Sequence, residues 1–206
     1  MSASIAGLYA ITDARLPRRV GLEQAVAAAL RGGARIIQYR DKSTDSARRL
    51  AEATALSVLC ASAKALFIVN DDVPLAKAVG ADGVHVGQSD AQVTQAREQL
   101  GKGAIIGVSC YGDLERAQAA ANAGADYLAF GSVYPSPTKP QAATVPLSIF
   151  AQARAFTDLP LVAIGGINAD NIATVRAAGA DAIAVVEAVF GADDIEQACV
   201  TLGRAL

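Results

Sequence analysis

The stretch GADYLAF, residues 124–130, joins a glycine that can end a helix to a short apolar run that can form a strand. Three further stretches share this order: GGARIIQ at 32–38, GADGVHV at 80–86 and GADAIAV at 179–185. Each follows an alanine-rich segment typical of a helix. Glycine suits the left-handed conformation at a helix end, and an unbroken apolar run suits a strand buried on both faces. The repeated joint therefore predicts a chain that alternates helices with strands.

Applied to the whole chain, this pattern predicts eight strands: Leu8–Thr12, Arg35–Arg40, Ala65–Asn70, Gly83–Val86, Ala104–Ser109, Tyr127–Val133, Leu161–Gly165 and Ala182–Val186. It also predicts eight helices: Leu22–Arg31, Thr44–Ala63, Val73–Val79, Ala91–Leu100, Leu114–Ala123, Leu147–Phe156, Ala169–Ala178 and Ile195–Arg204. Asp90, Asp113 and Asn168 are the expected N-caps of three of these helices. Strict alternation implies a parallel sheet with right-handed crossovers. We expect one domain, residues 1–206, with the α/β fold of a (β/α)8 TIM barrel. The alternative is an open doubly wound sheet, which usually has fewer strands and a visible nucleotide fingerprint.

Composition narrows the class of protein. The 206 residues carry a formal net charge of −2, which argues against a nucleic-acid-binding surface, and 52% of them are hydrophobic. Cys60, Cys110 and Cys199 lie far apart without the spacing of metal ligands, so we expect buried thiols in a reducing compartment. No basic segment precedes an apolar run at the N-terminus, and no apolar run reaches about 18 residues. A cytoplasmic globular protein without membrane contact is expected, and the sequence leaves a homodimer open.

The end of the second predicted strand, IIQYRDK at 36–42, is polar. Alternate side chains of a strand share a face, so Gln38, Arg40 and Lys42 are expected to project together, with Tyr39 and Asp41 turned away. Two cations and an amide at one strand end form a receptor for an anion, most simply a phosphate. The alternative is a solvated strand end in which Asp41 pairs with a neighbour.

Two carboxylates from neighbouring loops, Asp71 and Asp90, are candidate ligands for Mg²⁺. This ion usually takes one or two protein carboxylates and completes its shell with waters and substrate phosphates. Asp72 competes with Asp71 for this role, although capping the following helix is the simpler role for either.

Two loops at later strand ends suit a second phosphate. PSPTK at 135–139 supplies two hydroxyls and an ammonium group, although a turn with a solvated lysine is the alternative. Gly165 and Gly166 leave backbone N–H groups at the seventh strand, where barrels often bind phosphate. The lone histidine, His85, is expected to be a hydrogen-bonded core group without a chemical role.

These residues resemble the thiamine phosphate synthase family, also called thiamine phosphate pyrophosphorylase. The resemblance covers the chain from about Leu8 to Phe190 and rests on motifs in the expected order: QYRDK at 38–42, ND at 70–71, GVHVGQSD at 83–90, GVSCY at 107–111, PSPTK at 135–139 and AIGGI at 163–167. It implies an enzyme that joins hydroxymethylpyrimidine diphosphate to a thiazole phosphate, giving thiamine phosphate and diphosphate.

The resemblance also implies roles for individual residues. The pyrimidine diphosphate ligands would be Gln38, Arg40, Lys42, Asn70, Ser109 and Lys139. Asp71 and Asp90 would hold Mg²⁺, and the thiazole phosphate ligands would be Ser136, Thr138, Gly166 and Val186. Arg40, Lys139 and Ser109 would be catalytic in a dissociative reaction, in which the C–O bond breaks first and the thiazole nitrogen captures a pyrimidine carbocation.

One position departs from the family pattern, because Glu187 stands where serine is common. We expect Glu187 to turn outward and only its backbone N–H to be used. Two alternatives remain: a thiazole tautomerase of the same superfamily, and a catalytically inactive phosphate-binding barrel. The tautomerase is expected to carry a histidine after the sixth strand, where this chain has Ser132.

Overall fold

The computed structural model describes residues 5–14, 20–87, 90–136 and 143–206, with only the backbone of residues 90 and 91. Its parallel strands form a closed barrel in the order β1 to β8, so the TIM-barrel prediction is confirmed. The strands are β1 Gly7–Ile11, β2 Ile36–Tyr39, β3 Leu66–Asn70, β4 Gly83–Val86, β5 Ile105–Tyr111, β6 Tyr127–Phe130, β7 Leu161–Ile164 and β8 Ala182–Val185.

Helices follow the strands on the outside of the barrel. They are α1 Leu22–Arg31, α2 Ser46–Ala63, α3 Val73–Ala78, α4 Asp90–Leu100, α5 Leu114–Asn122, α6 Ser148–Arg154, α7 Ile172–Ala177, α8 Glu187–Phe190 and α9 Ile195–Gly203. The four-residue helix α8 was not predicted, because one turn is too short to show a helical period.

The predicted N-caps had different outcomes. Asp113 caps α5 as expected, since its carboxylate accepts a hydrogen bond from the backbone N–H of Arg116. The prediction for Asp90 was wrong, because α4 begins at Asp90 itself. The prediction for Asn168 was also wrong: its side chain accepts from the N–H of Asp170 in a turn that delays α7 until Ile172.

Alternation along each strand divides the core into two layers. On β1, Tyr9 and Ile11 belong to a cluster inside the barrel, whereas Leu8 and Ala10 pack against the surrounding helices. Full burial of a side chain such as Leu8 contributes about 1.5–3 kcal/mol. The inner layer carries the polar side chains described below, so the barrel interior is both core and site.

The aspartates of the repeated GAD joints connect neighbouring strands. Each accepts a 2.7 Å hydrogen bond from a backbone N–H at the start of the preceding strand: Asp82 from Phe67, Asp126 from Ile106, and Asp181 from Leu161. Asp126 and Asp181 also form ion pairs with Arg97 and Arg154. The joint therefore sets the register of the sheet as well as ending a helix.

The three cysteines are buried, as expected. Burial raises the pKa of the Cys60, Cys110 and Cys199 thiols to about 12, so they stay protonated at neutral pH. In the described residues, no helix has the length and apolar character needed to cross a membrane.

Candidate active site

A cavity of about 500 Å³ opens at the carboxyl end of the strands, and side chains from all eight strands line it. Its apolar part includes Val162, Ile164 and Ala184. Parallel strands of a closed barrel end at the same rim, which is why residues far apart in sequence meet here.

Several residues predicted from the sequence lie in this cavity. They are Gln38, Arg40, Asn70, Ser109, Ser136, Gly166 and Val186. Lys42 is exposed and is not among the lining residues, because β2 ends at Tyr39 and strand alternation stops there. Thr138 and Lys139 lie outside the described residues.

Arg40 is held by a carboxylate that the sequence reading did not select. Its Nη1 lies 3.1 Å from Oδ2 of Asp13, which is only 4% exposed. Its backbone N–H donates to Oγ1 of Thr12 at 2.9 Å, which ties β2 to the end of β1. The guanidinium is therefore fixed in the cavity wall. Asp13 directly follows a predicted strand, so the rule that selected Arg40 could have found it.

The other face of the β2 end points away from the cavity, as alternation predicts. Tyr39 donates from its hydroxyl to Glu52 on α2 at 2.7 Å, and Asp41 pairs with Arg48 at 2.6 Å. Burial acts to raise the pKa of Asp41, but hydrogen bonds from Ser43 and the charge of Arg48 together lower it. These contacts anchor the strand end on which Arg40 lies.

Two adjacent aspartates after β3 have different environments. Asp72 caps α3 by accepting from the N–H of Leu75, and it pairs with Arg49 at 2.7 Å. Asp71 is exposed, and its Oδ2 accepts from the Asn70 amide at 2.8 Å. Its φ of 61° is in the left-handed region, and its backbone N–H donates to the carbonyl of His85 on β4.

The structure thus gives Asp72, not Asp71, the capping role. The backbone of Asp90 begins α4, after the neighbouring strand β4, while its side chain lies outside the described part. Two carboxylates from adjacent strand ends agree with the donor set of a Mg²⁺ site that is completed by substrate oxygens. Within the described residues, no group of three or more His, Cys, Asp and Glu side chains could hold a metal ion by itself.

A chain of side-chain hydrogen bonds crosses the interior of the barrel. Gln38 Nε2 donates to the Tyr9 hydroxyl at 2.7 Å, and the Tyr9 and Tyr127 hydroxyls are 2.8 Å apart. The Tyr127 hydroxyl lies 2.9 Å from Nδ1 of His85, and Nε2 of His85 lies 2.8 Å from Oγ of Ser109. Burial raises the pKa of Tyr9 to about 12 and that of Tyr127 well above 10.0, so both phenols remain protonated.

The glycines after β7 allow two loops to pack closely. Gly165 and Gly166 have φ values of 103° and 63°, in the region that favours glycine. A Cβ on Gly166 would lie 2.3 Å from the carbonyl oxygen of Pro135, so the β7 turn packs directly against the segment that carries Ser136.

The end of β8 completes this side of the cavity. Val186, Glu187 and Ala188 line it, and α8 begins at Glu187. Glu187 is exposed, and its Cγ would be 3.0 Å from a Cβ placed on Gly191, one helical turn further along. The first N–H groups of a helix have no partner within that helix, which leaves them available to an acceptor.

Comparisons with known proteins agree with this site. The family model described as thiamine monophosphate synthase matches residues 8–189. The chain is 56% identical over 196 residues to the thiamine-phosphate synthase of Halorhodospira halophila, covering 95% of this chain and 92% of that protein. It is also 56% identical over 198 residues to the thiamine-phosphate synthase of Acidithiobacillus ferrooxidans, covering 94% and 91%.

A solved structure, the thiamine phosphate pyrophosphorylase from Pyrococcus furiosus, superposes with a TM-score of 0.89 at 39% identity and covers 98% of this chain and 96% of that one. The barrel, the cavity at its carboxyl end and matches over nearly the whole chain lead to one conclusion: this chain belongs to the thiamine-phosphate synthase family of transferases.

Proposed function

We propose that the protein condenses hydroxymethylpyrimidine diphosphate with a thiazole phosphate and releases diphosphate. One observation carries this proposal: anion-binding groups from early and late strands line the same cavity. Gln38, Arg40 and Ser109 lie on β2 and β5 or directly after β2, whereas Ser136 and Gly166 lie in the segments after β6 and β7. A reaction between two phosphorylated partners requires both sets around one space.

The early strands supply groups for the diphosphate. Arg40 brings a charge that Asp13 and the β1 end hold in place, and guanidinium groups bind phosphate oxygens in a bidentate manner. Asn70 and Ser109 add an amide and a hydroxyl at the same rim. Lys42 and Lys139 are proposed to reach the diphosphate from the loops when it binds.

Asp71 and Asp90 are proposed to hold Mg²⁺ beside the diphosphate. The exposed position of Asp71, and the engagement of Asp72 in a cap and an ion pair, support this choice between neighbours. The bound ion would offset negative charge on the leaving diphosphate.

The late strands supply groups for the thiazole phosphate. Ser136, Thr138, Gly166 and Val186 are the proposed ligands, and the close packing of the Gly166 turn against Pro135 places two of their segments together. We propose that Glu187 contributes its backbone N–H and keeps its carboxylate away from the anion.

The proposed reaction requires the protein mainly to stabilise charge on the departing diphosphate and to orient the two rings. In the proposed dissociative path the C–O bond to the diphosphate breaks first, and the thiazole nitrogen then forms the C–N bond. Arg40, Lys139 and Ser109 would stabilise charge on the departing group, while the apolar wall around Ile164 and Val162 limits water at the reacting carbon. Holding the two rings in line removes much of the entropic barrier.

The test is to incubate purified protein with both phosphorylated substrates and Mg²⁺ and to measure thiamine phosphate and diphosphate in equal amounts. Asp71→Asn should lower kcat/KM about 100-fold or more and raise the Mg²⁺ concentration needed for half-maximal rate. Lys139→Ala should lower kcat/KM by a similar factor.

Asp72→Asn is the matched control, since it changes the adjacent carboxylate, which caps α3. Asparagine can still cap α3, but it removes the charge that pairs with Arg49, so this variant should lower the melting temperature slightly and leave kcat/KM within about threefold of wild type. The absence of thiamine phosphate would refute the reaction, and equal losses in the Asp71 and Asp72 variants would refute the assignment of the metal ligands.

A further inference from the structure

The hydrogen-bond chain inside the barrel contains His85, the one histidine of the sequence, for which the proposed reaction has no role. His85 is 9% exposed, and both of its ring nitrogens have hydroxyl partners. One partner, Tyr127, is completely buried, and the other, Ser109, lies at the cavity surface. The ring therefore links the barrel interior to a residue that lines the cavity.

The direction of the chain follows from its inner end. Gln38 presents its NH₂ group to the Tyr9 oxygen, which thereby accepts one hydrogen bond. Among the described residues, the Tyr9 hydroxyl has hydrogen-bond contacts with Gln38 and Tyr127 alone, so its own proton must go to the Tyr127 oxygen. The reverse arrangement would leave a buried O–H without an acceptor, which is costly.

The remaining protons then have one arrangement. Tyr127 already accepts from Tyr9, so it donates its proton to Nδ1 of His85. The ring proton is consequently on Nε2, which donates to Oγ of Ser109. Because its oxygen accepts from His85, Ser109 is left to donate its own proton into the cavity.

We propose that His85 is a positioning residue, held as the neutral Nε2–H tautomer, which makes the Ser109 hydroxyl a hydrogen-bond donor towards the bound ligand. The ligand atom opposite Ser109 must then be an acceptor, and an anionic oxygen of a diphosphate has the required chemistry. This last step rests on the proposed function, whereas the tautomer does not.

The direct test is nuclear magnetic resonance of the whole protein labelled with ¹⁵N in histidine and freed of any affinity tag. One histidine gives one pair of ring nitrogens, whose protonation is read from their couplings to the ring C–H protons. At pH 8 the wild type should show a protonated Nε2 and an unprotonated Nδ1. The Nδ1–H tautomer, an equal mixture of the two, or an imidazolium would overturn the proposal.

Two matched tyrosine variants test the chain itself. Tyr127→Phe removes the donor to Nδ1, so the tautomer preference should weaken. Tyr9→Phe leaves Tyr127 with its proton and should leave the tautomer unchanged. An unaltered preference in Tyr127→Phe, or an equal change in both variants, would show that the chain does not set the tautomer. If either variant does not fold, the wild-type spectrum still decides the question.

Conservative replacements of His85 test the consequence at Ser109. The glutamine NH₂ can replace Nε2–H, whereas the shorter asparagine places its NH₂ near Nδ1. With inorganic diphosphate and Mg²⁺ as the probe, His85→Asn should weaken binding at least about tenfold, and His85→Gln about threefold or less. In the proposed condensation of the two substrates, the KM for the thiazole phosphate should stay unchanged in both variants.

Equal weakening by Gln and Asn, or a rise in KM for both substrates, would indicate a merely structural histidine and refute the positioning role. If wild-type protein makes no thiamine phosphate, the proposed reaction is refuted. The ¹⁵N spectrum of His85 and the titrations with diphosphate would then still test the positioning role of His85.

Discussion

Gly107→Ala is the change that tests the interior of the barrel most directly. Gly107 lies on β5 opposite Tyr127 on β6. Because glycine has no side chain, the Tyr127 ring can extend past Gly107 and reach His85 on β4. A Cβ on Gly107 would lie 1.9 Å from Cζ of Tyr127 and 2.3 Å from its hydroxyl oxygen. Since non-bonded carbons approach to about 3.5–4.0 Å, the ring would have to move by roughly 2 Å.

That displacement has a calculable cost. The Tyr127 hydroxyl bonds to Tyr9 at 2.8 Å and to His85 at 2.9 Å, and a shift of this size breaks both contacts. Overpacking of a core costs about 1–3 kcal/mol, and each net hydrogen bond contributes about 0.5–1.5 kcal/mol. The expected loss of unfolding free energy is therefore roughly 2–6 kcal/mol, or a fall in melting temperature of roughly 5–20 °C for a chain of this size.

The assay is thermal unfolding followed by circular dichroism, with kcat/KM measured well below the transition. Gly103→Ala is the control, because nothing lies within 4 Å of a Cβ at that loop position before β5. In a Tyr127→Ala background, Gly107→Ala should cost much less, since the obstructing ring is gone. A Gly107→Ala protein with wild-type stability and activity would refute the described packing of Tyr127.

Three further predictions concern residues that follow the ends of β1, β2 and β8. Asp13→Asn should lower kcat/KM about tenfold, because the amide oxygen can still accept from Arg40 but the bond is weakened when the carboxylate charge is gone. Tighter diphosphate binding in this variant would show that the negative charge of Asp13 matters more than its hold on Arg40. Glu187→Ser should leave the KM for the thiazole phosphate nearly unchanged, and a tenfold drop would contradict an outward carboxylate. Asp41→Asn should lower the melting temperature at pH 7, because it removes the ion pair with Arg48. Because the folded protein holds the pKa of Asp41 below its ordinary 3.8, the Asp41 carboxylate stabilises the fold above pH 3.8, and this stabilisation is lost as the pH falls through the lower folded-state pKa. The melting temperatures of wild type and variant should therefore converge below pH 3.8.

The sequence was sufficient for the fold because its signals are local. Glycine before an apolar run marked four helix-to-strand joints, and GVHV at 83–86 was predicted with its observed bounds. Strand ends were less accurate: β6 ends at Phe130 and not at Val133. The chain leaves the strand at Gly131, whose Cβ would collide with the carbonyl oxygen of Ile164 at 1.9 Å. Such an approach depends on the neighbouring strand, which the local sequence does not specify.

The candidate site was predictable only in part. Arg40 and Ser109 could be identified because they end predicted strands, and Asp13 was missed although it fits the same rule. Lys42 was expected to continue the alternation of β2, but that strand ends earlier, at Tyr39. The rule of alternation therefore holds only as far as the ladder of backbone hydrogen bonds continues.

The interior network depends on register around a closed ring, and this explains why the motifs did not reveal it: they indicated Gln38 and Ser109 as ligands and His85 as a core group, but not the contacts that join them. Tyr9 and Tyr127 are 118 positions apart, and their hydroxyls meet because β1 and β6 both direct these side chains into the interior of the same closed barrel. In the observed register Gly107 is the inward-facing residue of β5 opposite Tyr127, and a side chain at this position would occupy the space of the tyrosine ring. The glycine that begins GVSCY is thus required by a tyrosine on the next strand, and through that tyrosine it supports the hydroxyl of Ser109 two residues later.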